Sequence, residues 1–165
     1  MSIKLGIVGL RNNGMSHGRR VETFTDMEVI AGAEVDAERL AAAKEEFNLR
    51  YAYADADELF ANPEIDAVVL SLPNHLHASM AVKALRAGKH VLVEKPIANS
   101  AAVVDEMIKA RDESGKTLMV GYNQRFSPDR YACRDVIRSG KIGDVYMAEA
   151  AWNHRWMNVG LFQRG

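Results

Sequence analysis

A chain of 165 residues carries 21 Lys and Arg against 22 Asp and Glu, with 48% apolar and 26% charged residues. That is ordinary composition for one water-soluble globular domain, and near-neutrality argues against the basic face of a nucleic-acid binder. The single cysteine, Cys133, excludes an internal disulfide and lacks the spaced partners of a metal site, so no metal is expected.

Apolar runs and helical patterns alternate along the chain. "IKLGIVGL" (3–10) reads as a buried strand and "GMSHGRRVETF" (14–24) as a helix. Lys4 and Arg11 bracket this first run, so no secretory leader is read there, and the expected location is the cytoplasm. Nothing approaches the roughly 18 apolar residues of a membrane span. "MEVIAGAEV" (27–35) is the next strand. "DAERLAAAKEEF" (36–47) is a helix capped by Asp36, with Leu40, Ala43 and Phe47 on one face. A weak strand at 51–53 precedes a short helix that Pro63 ends. The unit then repeats: strand "DAVVLSL" (66–72), helix 74–88 ended by Gly88, strand "KHVLVEKP" (89–96), helix 100–115 and strand "TLMVGYN" (117–123). Short strands alternating with helices predict a Rossmann-type doubly wound α/β fold with a parallel sheet covered on both faces. A helix and turn at 127–143 and an alternating strand at 144–152 follow, and the tail beyond has no periodicity. The expected domains are therefore residues 1–123 and a connecting helix with the first strand of a second α+β domain, 124–165.

The first strand leads into "GLRNNG". Against the dinucleotide fingerprint G-x-G-x-x-G, Gly9 and Gly14 fall in place and Arg11 occupies the middle position. Met15-Ser16 follows where a Walker A loop needs Lys-Ser/Thr, which excludes that loop. Glu34 ends the second strand about twenty positions on, where an acid receives ribose hydroxyls. Arg11 adds bulk where a diphosphate approaches, and it also adds a charge that pairs with phosphate. Both readings stand at this point.

The segment "SLPNHLHASMAVKALRAGKHVLVEKP" (71–96) resembles the Gfo/Idh/MocA family of glucose–fructose oxidoreductases and inositol dehydrogenases. Its Thr/Ser-x-Pro-Asn-x-x-His turn is matched by Ser71, Pro73, Asn74 and His77, and its Glu-Lys-Pro turn by Glu94, Lys95 and Pro96. "GYNQRFSP" (121–128) and "RSGKIGDV" (138–145) are similar to further segments of that family. The resemblance implies a two-domain NAD(P)-dependent oxidoreductase, of which this chain is the cofactor half, acting on a sugar, polyol or related cyclic alcohol. It implies a pyrophosphate turn of Gly9, Arg11, Asn12, Asn13 and Gly14, with Glu34 on the adenosine ribose. Ser71, Pro73, Asn74 and His77 would line the cofactor channel, with Glu94 and Lys95 beside the nicotinamide and Asn123 and Arg125 at the cleft's edge. Lys95 would be catalytic, its charge disfavoured by burial so that it exchanges a proton with the substrate hydroxyl. Glu34 favours NAD over NADP because a carboxylate repels a 2′-phosphate, and Arg39, one helical turn on, weakens that preference a little.

His17 reads as a helix-face residue near the phosphate turn, His75 and His90 as structural, and Trp152 and Trp156 as packing between domains. The family's Asp-x-x-x-His element is missing from this chain's C-terminal part, where His154 follows Trp152-Asn153. A homo-oligomer through the second domain's sheet is a further expectation. Two other readings remain: a cofactor-blind interaction module that keeps the fold, and a cofactor subunit completed by a partner docking on the strand at 144–152.

Overall fold

Every apolar run read as a strand in the first 123 residues joins one sheet. The computed structural model of the chain describes residues 2–151. In order they form β1 (Ile3–Val8), α1 (Asn12–Val21), β2 (Met27–Ala33), α2 (Ala37–Glu46), β3 (Tyr51–Tyr53), α3 (Ala56–Ala61), β4 (Ala67–Leu70), α4 (His77–Arg86), β5 (His90–Val93), α5 (Ala101–Ser114), β6 (Leu118–Val120) and α6 (Pro128–Arg138). The six strands lie in the order β3-β2-β1-β4-β5-β6 and every neighbouring pair is parallel. The chain winds outward from β1 in one direction, then returns to β1's other side with β4, whose Ala67–Leu70 stand in register with Leu5–Val8. That reversal opens a crevice beyond the carboxyl ends of β1 and β4, the place where ligands of open α/β sheets bind.

Strand residues alternate between two buried layers, which is why the strands read as nearly continuous apolar runs. Val8, Ile30, Val68, Leu70, Val91 and Val93 pack with Leu59, Leu85 and Met107 on one face. Ile7, Val29 and Val69 pack with Leu10, Ala43, Phe47 and Leu49 on the other. Asp36 caps α2 as read, accepting the Glu38 and Arg39 amides at 3.1 Å each. The segment read as one helix over 74–88 begins instead with a 3₁₀ turn, Asn74–Leu76, before α4 starts at His77. Lys89, read only as the start of a strand, is 5% exposed and donates to the Asn62 and Ile65 carbonyls at 2.6 and 2.8 Å. Burial lowers its proton affinity below that of an ordinary lysine.

The described residues fall into two compact units, the first ending at Tyr122 and the second beginning at Asn123. All six strands belong to the first. In the second, α6 carries Cys133 exposed, and no strand forms over 144–151 among the described residues. The expected strand there is corrected. Alternation only prepares a segment for pairing, and no other described segment offers it a ladder. Trp152, His154 and Trp156 lie outside the described residues.

Candidate dinucleotide site

The glycine turn sits at the crevice because two close approaches leave no room for side chains. Gly9 follows β1 with φ +88°, and a Cβ built there would stand 2.1 Å from the Ser71 carbonyl oxygen at the end of β4. A Cβ on Gly14 would stand 1.9 Å from the Gly9 oxygen. Backbone bonds fix the same place from both sides: the Gly9 amide donates to Ala33 O at 2.9 Å, and the Ser71 amide to Val8 O at 2.8 Å.

Arg11 has φ −82° and ψ −171°, an extended conformation that needs no glycine. It is the N-cap residue of α1, and no side chain caps that helix. The first amides of α1, at Asn12, Asn13 and Gly14, therefore meet the crevice without a side-chain acceptor, the arrangement that suits an anion. The Arg11 side chain is exposed and has no hydrogen-bond or ion-pair partner among the described residues.

Glu34 stands just past β2 and is buried, with only 9% of its surface exposed. Its Oε2 accepts the Leu10 amide at 2.9 Å and its Oε1 the Asp36 amide at 3.2 Å. It thus holds the glycine turn to the start of α2. The lone pairs left over are what it could offer a ribose.

The two turns that carried the family resemblance are brought together. Ser71 and Leu72 leave β4, and Pro73 and Asn74 are exposed. His77 is 1% exposed, with Nδ1 2.6 Å from the Pro96 oxygen and Nε2 2.8 Å from the Leu72 oxygen. A carbonyl only accepts, so both contacts are hydrogen bonds only when both ring nitrogens carry protons. His77 ties the turn after β4 to the turn after β5. Glu94 is half-buried, and its Oε2 accepts the Lys95 amide at 3.2 Å. Lys95 itself is exposed, so the burial expected for it is not supplied by the described residues around its turn.

Sequence reading missed the partner of His17. Its Nε2 lies 2.8 Å from Glu94 Oε1. Spacing along the chain cannot pair these positions; only the parallel topology, which starts α1 at the same sheet edge where β5 ends, does so. Asn123 and Arg125 lie on a 3₁₀ turn, Asn123–Phe126, of the second unit. Among the described residues no group of three His, Cys, Asp or Glu side chains could hold a metal, and no helix is long and apolar enough to cross a membrane.

An uncharacterized oxidoreductase of Rhizobium meliloti is 40% identical over 119 residues, which are 72% of this chain and 36% of that protein. Inositol 2-dehydrogenase of Salmonella typhimurium is 33% identical over 150 residues, 89% of this chain and 45% of its own length. The crystal structure of scyllo-inositol dehydrogenase from Lactobacillus casei with NAD(H) and scyllo-inositol superposes with a TM-score of 0.82 at 29% identity, covering 87% of this chain and 43% of that one. The chain thus spans less than half the length of these relatives. The sequence model of the Gfo/Idh/MocA oxidoreductases, with an NAD-binding Rossmann fold, matches residues 3–122. Because that match runs from the first residue of β1 to beyond the end of β6, taking in the whole sheet, the chain belongs to the Gfo/Idh/MocA oxidoreductase family through its NAD-binding Rossmann fold.

Proposed function

We propose that this chain is the cofactor-binding part of an NAD-dependent oxidoreductase that moves hydride to or from the carbinol carbon of a sugar, polyol or related cyclic alcohol. The observation that carries this reading is the crevice between β1 and β4. There the uncapped start of α1 and the unpaired Arg11 share one sheet edge with the turn bearing Glu94 and Lys95. These residues suit a dinucleotide: amides and a guanidinium for the pyrophosphate, a carboxylate beside the turn for ribose, and an exposed lysine one strand further on. The curated relatives named as inositol dehydrogenases support a polyol substrate.

In this reading the amides of Asn12, Asn13 and Gly14 hold the pyrophosphate and Arg11 adds its charge. Glu34 accepts from the adenosine ribose through its remaining lone pairs, which favours NAD. Ser71, Pro73 and Asn74 line the channel, and His77 keeps their turn fixed to that of Lys95. The bound nicotinamide supplies the hydride acceptor or donor. Lys95 exchanges a proton with the substrate hydroxyl at its Nζ while Glu94 holds the Lys95 backbone. The substrate domain's sheet carries a homo-oligomer interface, and the working location is the cytoplasm.

The test is a titration of the 165-residue chain with NADH, followed by nicotinamide fluorescence at low salt. Saturable binding is expected. A folded chain that shows none would be a cofactor-blind module, and the proposal would be withdrawn.

A further inference from the structure

Glu94 stands at the exit of β5, where its amide donates to the Leu70 oxygen at 3.0 Å. Its carboxylate is held on three sides. Oε1 lies 2.8 Å from His17 Nε2, and Oε2 accepts the Lys95 amide at 3.2 Å. The third side is backbone: a Cβ built on Gly121, just past β6, would stand 3.3 Å from Oε1 and 3.5 Å from Oε2. Only 17% of the Glu94 side chain and 24% of the His17 side chain remain exposed. An ionised carboxylate only accepts, so His17 Nε2 carries the proton and donates it. Among the described residues His17 has no other hydrogen-bond or ion-pair partner.

A doubly wound sheet takes a dinucleotide across its crevice, with the pyrophosphate at the start of the first helix and the second mononucleotide over the strands beyond the reversal. Those strands are β4, β5 and β6, which puts Glu94 on the nicotinamide side. His17 reaches it from α1, about 7.5 Å of helical rise beyond Asn12. The nicotinamide ring is the part of the cofactor whose charge changes, cationic when oxidised and neutral when reduced. A carboxylate fixed beside it favours the cation, and more strongly in a half-buried place than in open water. A proton donated to that carboxylate weakens its field, and a charged imidazolium cancels still more of it. Whichever charge the ring carries, the sign is the same: His17 acts against the cation.

We infer that His17, acting through Glu94, sets the balance of this site between the oxidised and the reduced form of the nicotinamide cofactor. With the ring in place the Glu94 charge is partly offset and the reduced form is retained. Without it the carboxylate selects the oxidised form. The inference rests on the dinucleotide reading above, with Glu94 as the group that faces the nicotinamide and His17 as its positioning residue. The exposed Lys95 ammonium is a second charge on this turn, and it is the same in every variant below, so it cancels from the comparison.

Calorimetric titrations of the 165-residue chain and its variants with NAD+ and with NADH give the ratio of the two dissociation constants, and melting temperatures check folding. Relative to the wild type, His17→Leu should shift that ratio about fivefold toward NAD+, and Glu94→Gln about fivefold toward NADH. His17→Gln, whose amide can donate to the same oxygen, should fall between the leucine variant and the wild type. A pair that serves packing alone weakens both forms together, so ratios that stay put while NADH still binds overturn the inference and leave the dehydrogenase reading. Shifts of one sign in His17→Leu and Glu94→Gln overturn it as well. Should the leucine variant not fold, Glu94→Gln decides alone, and a ratio that does not move toward NADH removes the inference. A folded wild-type chain that binds neither form removes both the dinucleotide reading and the inference built on it.

Discussion

His17 on α1 meets Glu94 at the end of β5 across 77 positions of sequence, its Nε2 2.8 Å from the Glu94 Oε1. The contact joins the helix that begins at the glycine turn to the residue preceding Lys95. His17→Leu leaves Glu94 with the Lys95 amide as its remaining partner among the described residues. The partly exposed pair contributes no more than about 1 kcal/mol to stability. If the Glu94–Lys95 turn lies beside the nicotinamide as proposed, NADH affinity should fall several-fold, because that turn loses its anchor. A urea titration paired with a fluorescence titration checks this, and stability loss with unchanged affinity would reduce the pair to a structural tie.

Gly14 and Gly115 predict different costs for one extra methyl group. An alanine Cβ at Gly14 meets the Gly9 oxygen at 1.9 Å, whereas at Gly115, φ +64°, it meets nothing within 4 Å. Gly14→Ala should therefore cost roughly 2–3 kcal/mol through forced displacement of backbone. Gly115→Ala should cost only the left-handed strain, about 1 kcal/mol. Urea midpoints of the two variants give the comparison directly, and Gly14→Ala should also lose NADH binding while Gly115→Ala keeps it.

His77→Phe keeps a buried ring and removes both nitrogens from the Leu72 and Pro96 carbonyls. The part-buried Leu72 and exposed Pro96 carbonyls then lose the ring as a partner, at a cost of roughly 1–2 kcal/mol. His77→Gln should recover part of this, since its amide can donate to one carbonyl. Equal stability for the phenylalanine variant and the wild type would mean that the carbonyls find other donors.

Glu64 predicts the acid limb of stability. The Tyr51 hydroxyl donates to its Oε1 at 2.5 Å and Arg50 Nη1 to its Oε2 at 2.8 Å. The Tyr51 bond is the largest cause that holds this carboxyl below its ordinary range; burial, next in size, opposes it, and Arg50 and Lys4 add smaller lowering effects. A depressed carboxyl stabilises the fold fully above the unfolded value, and that contribution disappears as pH falls through the folded one. Tyr51→Phe removes the largest cause, so its melting temperature should fall less steeply than the wild type's between pH 5 and pH 3. Parallel curves would show that the exposed pair contributes nothing measurable.

The sheet was legible because strands buried on both faces must be apolar throughout, as "LGIV" and "AVVL" are. Gly9 and Gly14 were legible because their glycine identity answers to backbone approach, a demand that sequence spacing records. Arg11 was ambiguous in sequence and becomes simple in structure, since its extended backbone suits any residue. The partner of His17 and the orientation of Glu34 were not legible in that way. Each depends on which helix end lies beside which strand end, and no local pattern encodes that. The failed strand at 144–151 marks the opposite limit: its pattern was correct for a strand, but pairing is a property of two segments.

The order β3-β2-β1-β4-β5-β6 also has a consequence for assembly in time. β1 pairs with β2 soon after both emerge, but its other edge stays open until β2, α2, β3 and α3 have all passed and β4 arrives. A nascent chain therefore carries an unpaired edge in the middle of its future sheet, with Leu5 and Ile7 uncovered, and such edges invite pairing with other chains. The long loop that must close to bring β4 home makes this a slow step. Because the crevice exists only once that step is complete, a ligand in it acts on the finished sheet alone. It should slow unfolding and leave the rate of folding untouched.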